Sequence, residues 1–98
     1  MEQKIQLKHP QGKNAVRIDK TKYDVLKKAI LNCLKNKREL THTEMKNAIM
    51  DDFKKNKIKF EGSVEWFMES VKLDLEASKT IERFLDKSTL KFKMAGQY

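Results

Sequence analysis

Cysteine, proline and tryptophan each occur once in this sequence, glycine occurs three times, and no long hydrophobic run is present. Each scarcity removes a class of protein. A lone Cys33 can form no internal disulfide, which fits a reducing compartment such as the cytoplasm. It sits among Ile30, Leu31 and Leu34 and reads as core filler rather than nucleophile. No apolar stretch approaches membrane-spanning length. The N-terminal MEQKIQLKHP lacks the apolar segment of a signal peptide, so none is expected. There is no Gly-rich phosphate loop, no nucleophile elbow and no His-Glu-x-x-His motif. The two histidines, His9 in a turn and His42 at a helix start, do not have metal-ligand spacing. The neighbouring carboxylates Asp51 and Asp52 point apart on a helix and make no dyad, and Asp74 reads as a cap or local partner. No catalytic residue, metal or cofactor is expected.

What the sequence has in quantity is charge. Charged residues make up 37% of the chain and hydrophobic ones 39%, with a formal net charge of +8. Residues 1–98 are enough for one domain with one modest core. The basic balance favours a polyanionic partner, nucleic acid before an anionic membrane. A membrane surface is disfavoured because the basic residues are not matched by an exposed bulky apolar face.

Periodicity then orders the chain. Ile5 and Leu7 alternate with polar residues, and so do Val16 and Ile18, which predicts two short strands on either side of a turn at His9-Pro10-Gln11-Gly12, paired with each other or with the C-terminal ribbon. A first helix is expected near Thr21, with Thr21 and Asp24 as a capping pair and Tyr23, Leu26, Ile30, Cys33 and Leu34 as its buried stripe. A second helix opens on Thr41-His42-Thr43-Glu44, a capping box, with Leu40 and Met45 as a hydrophobic staple. It ends in Lys54-Lys55-Asn56-Lys57, cations that suit a helix C-terminus. Ile58 and Phe60 are expected to pin the next loop to the core. The third helix starts at Gly62-Ser63, with Ser63 as N-cap. It is central, because Val64, Phe67, Met68, Val71 and Leu75 form a broad apolar face that other helices must cover. Trp66 and Leu73 widen that face, and Glu65, Glu69, Lys72 and Glu76 lie opposite. A strand over 79–85, a turn at Asp86-Lys87-Ser88-Thr89 and a return strand over 90–94 complete the chain. The expected core is Tyr23, Leu26, Ile30, Leu34, Met45, Ile49, Phe53, Phe67, Val71, Leu75, Ile81 and Phe92.

A long helix followed by a two-stranded ribbon in a small basic chain points to an α+β, mostly helical domain. The expected arrangement is winged-helix-turn-helix-like, with three helices, a C-terminal ribbon and short N-terminal strands. The chain also resembles a family of small uncharacterised bacterial winged-helix-like proteins, a domain of unknown function, over roughly residues 4–94. The resemblance rests on Tyr23 in the first helix, Leu40-Thr41-His42-Thr43-Glu44-Met45, Trp66, Val71-Lys72-Leu73-Asp74-Leu75-Glu76-Ala77 and Ile81-Glu82-Arg83. Ser78-Lys79 stands where the family pattern would place a glycine. The resemblance implies the fold and carries no activity with it.

Two functions follow as expectations. One is double-stranded DNA binding, with the ribbon cations Lys79, Arg83, Lys87, Lys91 and Lys93 and the loop cations Lys54, Lys55, Lys57 and Lys59 on phosphates. Lys72 is the one basic residue of the third helix placed to face a groove. The carboxylates along that helix oppose this reading, because they would meet phosphate repulsion. The other expectation is a protein-interaction module or homo-oligomer, in which the acidic Glu65, Glu69 and Glu76 with Trp66 and Tyr98 form the docking surface.

Overall fold

The computed structural model describes residues 4–9, 12 and 16–96. Their order is β1 (Lys4–Gln6), β2 (Arg17–Asp19), α1 (Lys20–Lys37), β3 (Glu39–Leu40), α2 (His42–Lys55), α3 (Val64–Ala77), β4 (Ile81–Asp86) and β5 (Thr89–Met94). The domain is α+β, about half helical, with three helices and two small antiparallel sheets. β1 pairs with β2, Ile5 opposite Ile18, a choice of partner that the alternation leaves open. Pro10 and Gln11 of the turn between them, and Tyr98, lie outside the described residues.

The second sheet has the order β3-β5-β4. Its centre is β5, which pairs with β4 through a two-residue turn and with β3 at Glu39↔Lys93 and Leu40↔Phe92. The turn residues Lys87 and Ser88 have φ of 51° and 74°. Two positive φ values match the twist of a tight hairpin. The two-residue β3 carries no alternation to read, and its Leu40 reads in the sequence only as the staple before the second helix.

Helix starts divide into one correction and two agreements. α1 begins at Lys20, not at a Thr21 cap, because β2 runs up to Asp19 and the helix follows the strand directly. Asp19 occupies the N-cap position without a side-chain bond, and Asp24 pairs with Lys20 at 2.9 Å instead. α2 has the full reciprocal capping box, Glu44 N–H donating to Thr41 Oγ1 and Thr41 N–H donating to Glu44 Oε1. That bond to the Thr41 backbone holds the Glu44 carboxyl below its ordinary range. In α3 the Trp66 N–H donates to Ser63 Oγ.

The helix ends share an unusual feature. Each closes on a basic residue in left-handed backbone: Arg38 (φ 65°), Lys57 (φ 54°) and Lys79 (φ 62°). After α3, Thr80 N–H donates to Leu75 O and Lys79 N–H to Glu76 O, and the same pair of bonds, Ile58 to Phe53 and Lys57 to Lys54, closes α2. Glycine takes this position most readily.

The core is the α1–α2–α3 junction closed from below by β5. Leu26, Ile30, Leu34, Met45, Ile49, Val71, Leu75, Ile81 and Phe92 are all buried. Tyr23 and Phe53 complete the expected set, and Leu7, Ile18, Leu40 and Met68 join it. Phe67 and Cys33 are only partly buried. Ile58 does not pin the α2–α3 connection: it is exposed, and Phe60 alone stacks on Phe53, ring centroids 5.8 Å apart.

Candidate nucleic-acid interface

The charged residues of α3 are the starting point, since they decide whether this helix could approach a polyanion. None of its expected polar face is simply solvated. Lys72 is buried, 3% exposed. Its ammonium donates to Glu69 Oε2 at 2.8 Å, lies 3.1 Å from His42 Nδ1, and sits 4.2 Å over the Phe92 ring. It therefore faces the sheet and the start of α2 and cannot reach a groove. Glu65 Oε2 is 3.2 Å from His42 Nε2 and 3.8 Å from Lys46 Nζ. Glu69 Oε2 is 3.3 Å from His42 Nδ1. Glu76 is clasped by Arg83 through both Nε and the guanidinium NH2, and its side chain is nearly buried. That pair raises the Arg83 pKa above its ordinary value.

Asp74 has partners far away in the chain. It accepts from Tyr23 Oη at 2.6 Å and from the Lys8 backbone N–H at 2.8 Å. A carboxylate that accepts two bonds ties α3 to α1 and to the segment after β1, so its role is a tertiary anchor rather than a helix cap. Burial and the Asp74 hydrogen bond together push the Tyr23 hydroxyl pKa upward.

Beside the partly exposed, ion-paired Glu65 and Glu69, one strip of α3 is made of Trp66, Ser70, Leu73 and Ala77, at helical spacings of three and four. It carries no charge. Trp66 is 49% exposed, so it is not the core residue that its place beside the apolar stripe suggests. The acidic docking surface expected of Glu65, Glu69, Glu76 and Trp66 is therefore divided. The carboxylates turn toward α2, Lys72 and β4, and the indole turns outward.

The ribbon cations are also largely used within the fold. Lys91 Nζ lies 3.0 Å from Asp86 and 3.3 Å from Glu39, and those two hydrogen bonds raise its pKa. Lys93 lies 3.8 Å from Glu82 and 5.2 Å from the Phe84 ring centroid. Arg83 stacks over Phe92 while holding Glu76. Lys79 and Lys87 are exposed, and neither has an ion pair among the described residues. The α2–α3 connection is different again. Lys54, Lys55, Lys57 and Lys59 are all exposed and have no ion pair or ring contact among the described residues. Among the cations of these two regions, those without an ion pair are therefore the four lysines before α3, Lys79 just after it and Lys87 at the ribbon tip.

Among the described residues, no group of three or more His, Cys, Asp or Glu is placed to hold a metal ion. Burial pushes the Cys33 thiol up to about 11, which keeps it protonated and unreactive at neutral pH. No helix among the described residues is long and apolar enough to cross a membrane. No curated protein and no solved structure matches the chain. The model of a family of unknown function, DUF6958, matches residues 4–92, and the chain belongs to that family.

Proposed function

We propose that this chain is a winged-helix domain that binds double-stranded DNA through the α2–α3 connection, the uncharged strip of α3 and the tip of the β4–β5 ribbon. The order helix, strand, helix, helix, strand, strand, with β3 and β4 flanking β5, supports the winged-helix reading. One observation carries the DNA reading: each carboxylate of α3 has a partner within the fold, the side chains of Asp74 and Glu76 buried and those of Glu65 and Glu69 at the surface, and exposed cations without ion pairs stand before the helix and just after it. α3 spans 14 residues, so it is about 21 Å long. A major groove is about 12 Å wide. Lys54, Lys55, Lys57 and Lys59 before the helix and Lys79 and Lys87 beyond it would then meet phosphates on opposite sides of the groove. Three of these six, Lys57, Lys79 and Lys87, occupy left-handed backbone, where a lysine is costlier than a glycine. A cation kept at such a position supports a use for its charge.

The test is fluorescence anisotropy of a labelled mixed-sequence duplex, titrated with the protein at low salt and at roughly 150 mM salt, the range over which phosphate contacts lose affinity steeply. Salt-sensitive saturation is expected. Absence of binding at low salt by folded protein would overturn the proposal.

A protein-docking role is the second reading, and the ribbon favours it. Leu85 and Leu90 form a cross-strand pair near the tip, and Leu85 is 72% exposed. Two leucines at a ribbon end suit a protein partner or a second copy of this chain.

A further inference from the structure

A cleft lies beside α3's first turn. It has a volume of about 510 Å³ and is bounded by β1–β2, the start of α1, the α2–α3 connection and the start of α3. Its size falls within the range of small-molecule sites. Its deep wall is aromatic. Phe60, Phe67 and Trp66 line it, and the buried Phe53 behind Phe60 continues the row into the core, with successive centroids from Phe53 to Trp66 5.8, 5.3 and 4.9 Å apart. The last rung, Trp66, is half exposed at the mouth. The close approach of Gly62 helps set this wall: its φ is +97°, and a Cβ there would lie 2.9 Å from the Phe67 ring.

The rim is cationic. Lys4, Arg17, Lys22 and Lys59 line the cleft against two carboxylates, Asp19 and Glu61. The Lys22 ammonium lies 4.8 Å from the Phe67 centroid and 5.7 Å from that of Phe60, and no carboxylate pairs with it among the described residues. A half-exposed indole backed by edge-on rings suits a planar aromatic ring, and an excess of cations without ion pairs suits an anion. A simple carboxylate would leave the indole uncovered, and a neutral ring would leave the cations without a counter-ion.

We infer that this cleft binds an unpaired nucleotide, its base stacked on Trp66 and its phosphate held among Arg17, Lys4 and Lys22. The site adjoins the proposed duplex surface and shares Lys59 and Trp66 with it, but Arg17, Lys4 and Lys22 are not among the residues assigned to duplex phosphates, so their substitution tests the cleft alone. The nucleotide comes either free or as part of a single strand, and the same chemistry serves both.

Trp66 is the only tryptophan, so its fluorescence reports on the cleft directly. The full chain is titrated with AMP, adenosine, inorganic phosphate and a dT hexamer, and binding is confirmed by calorimetry. Saturable quenching by AMP, with adenosine and phosphate each at least about tenfold weaker, is the expected result for a free nucleotide. Saturation by the hexamer without AMP binding assigns the nucleotide to a single strand. The double substitution Lys4→Glu with Arg17→Glu should weaken the interaction at least about tenfold, and Trp66→Ala, read by calorimetry, at least about fivefold. Circular dichroism of each variant checks that the fold persists. No saturable response to either AMP or the hexamer overturns the inference, as does equal binding of adenosine and AMP.

Discussion

The α2–α3 connection and the C-terminal ribbon look alike in sequence. Each is a short stretch crowded with cations, Lys54, Lys55, Lys57 and Lys59 in one and Lys79, Arg83, Lys87, Lys91 and Lys93 in the other. In three dimensions they differ. Arg83, Lys91 and Lys93 are matched by Glu76, by Asp86 and Glu39, and by Glu82. The four lysines of the connection have no such partners among the described residues. Formal charge counts both stretches equally, but only unpaired charge is available to a polyanion without first breaking an internal bond. The same contrast holds across α3, whose charged groups are paired within the fold while one strip of its surface is neutral.

If that division is right, charges inside the fold should cost stability when removed, and charges outside it should not. The largest effect is expected for Asp74→Ala, which strands the buried Tyr23 hydroxyl and the Lys8 N–H. A loss of about 2–4 kcal/mol in urea unfolding is predicted. The same bond gives a pH signature. The folded-state pKa of Tyr23 is raised, so its contribution is full below the ordinary tyrosine value of about 10 and is lost as pH rises through the folded value. Tyrosinate absorbance should therefore show Tyr23 ionising later in the wild type than in Asp74→Asn. Simultaneous ionisation would remove the bond from the account.

Lys72→Ala comes next. It leaves Glu69 and His42 without their shared cation and opens space over Phe92. A loss of about 1–2 kcal/mol by thermal or urea unfolding is expected. A neutral result would mean that Lys72 is a solvated lysine after all. The smallest effect has the opposite sign. Lys79→Gly relieves left-handed backbone at the end of α3 and should stabilise the fold by about 0.5–1 kcal/mol. It should also weaken duplex binding. If affinity is unchanged, the left-handed lysine has no role at the interface.

Much of the architecture was legible because its signals are local. The Thr41–Glu44 box, the Ser63 cap and the alternation of Leu90, Phe92 and Met94 each depend on residues within a few positions. The misreadings fall where a partner arrives from far along the chain. Lys72 belongs to the polar side of α3 on any helical wheel, but Phe92 and His42 close over it. Asp74 finds Tyr23, 51 positions earlier, and Lys8, 66 positions earlier. Trp66 lies at the edge of the apolar stripe, and periodicity alone cannot say on which side of that edge it falls. The segments that carry the family resemblance have the same lesson. Tyr23 with Asp74, Glu76 with Arg83 and Thr41 with Glu44 are bonds that hold the fold, so those motifs carry structure, and the surface we propose for duplex binding draws on the plainer lysines around them.

The most direct test of this account is the salt dependence of duplex affinity in three proteins: wild type, a variant with Lys54, Lys55, Lys57 and Lys59 changed to Glu, and a variant with Lys91 and Lys93 changed to Glu. The account predicts that the first variant loses most of the affinity and that its log–log salt slope falls by up to about 0.9 for each lost contact. The ribbon variant, whose lysines are already paired, should retain more of both. A larger loss in the ribbon variant than in the connection variant, with both still folded, would contradict the division between engaged and available charge.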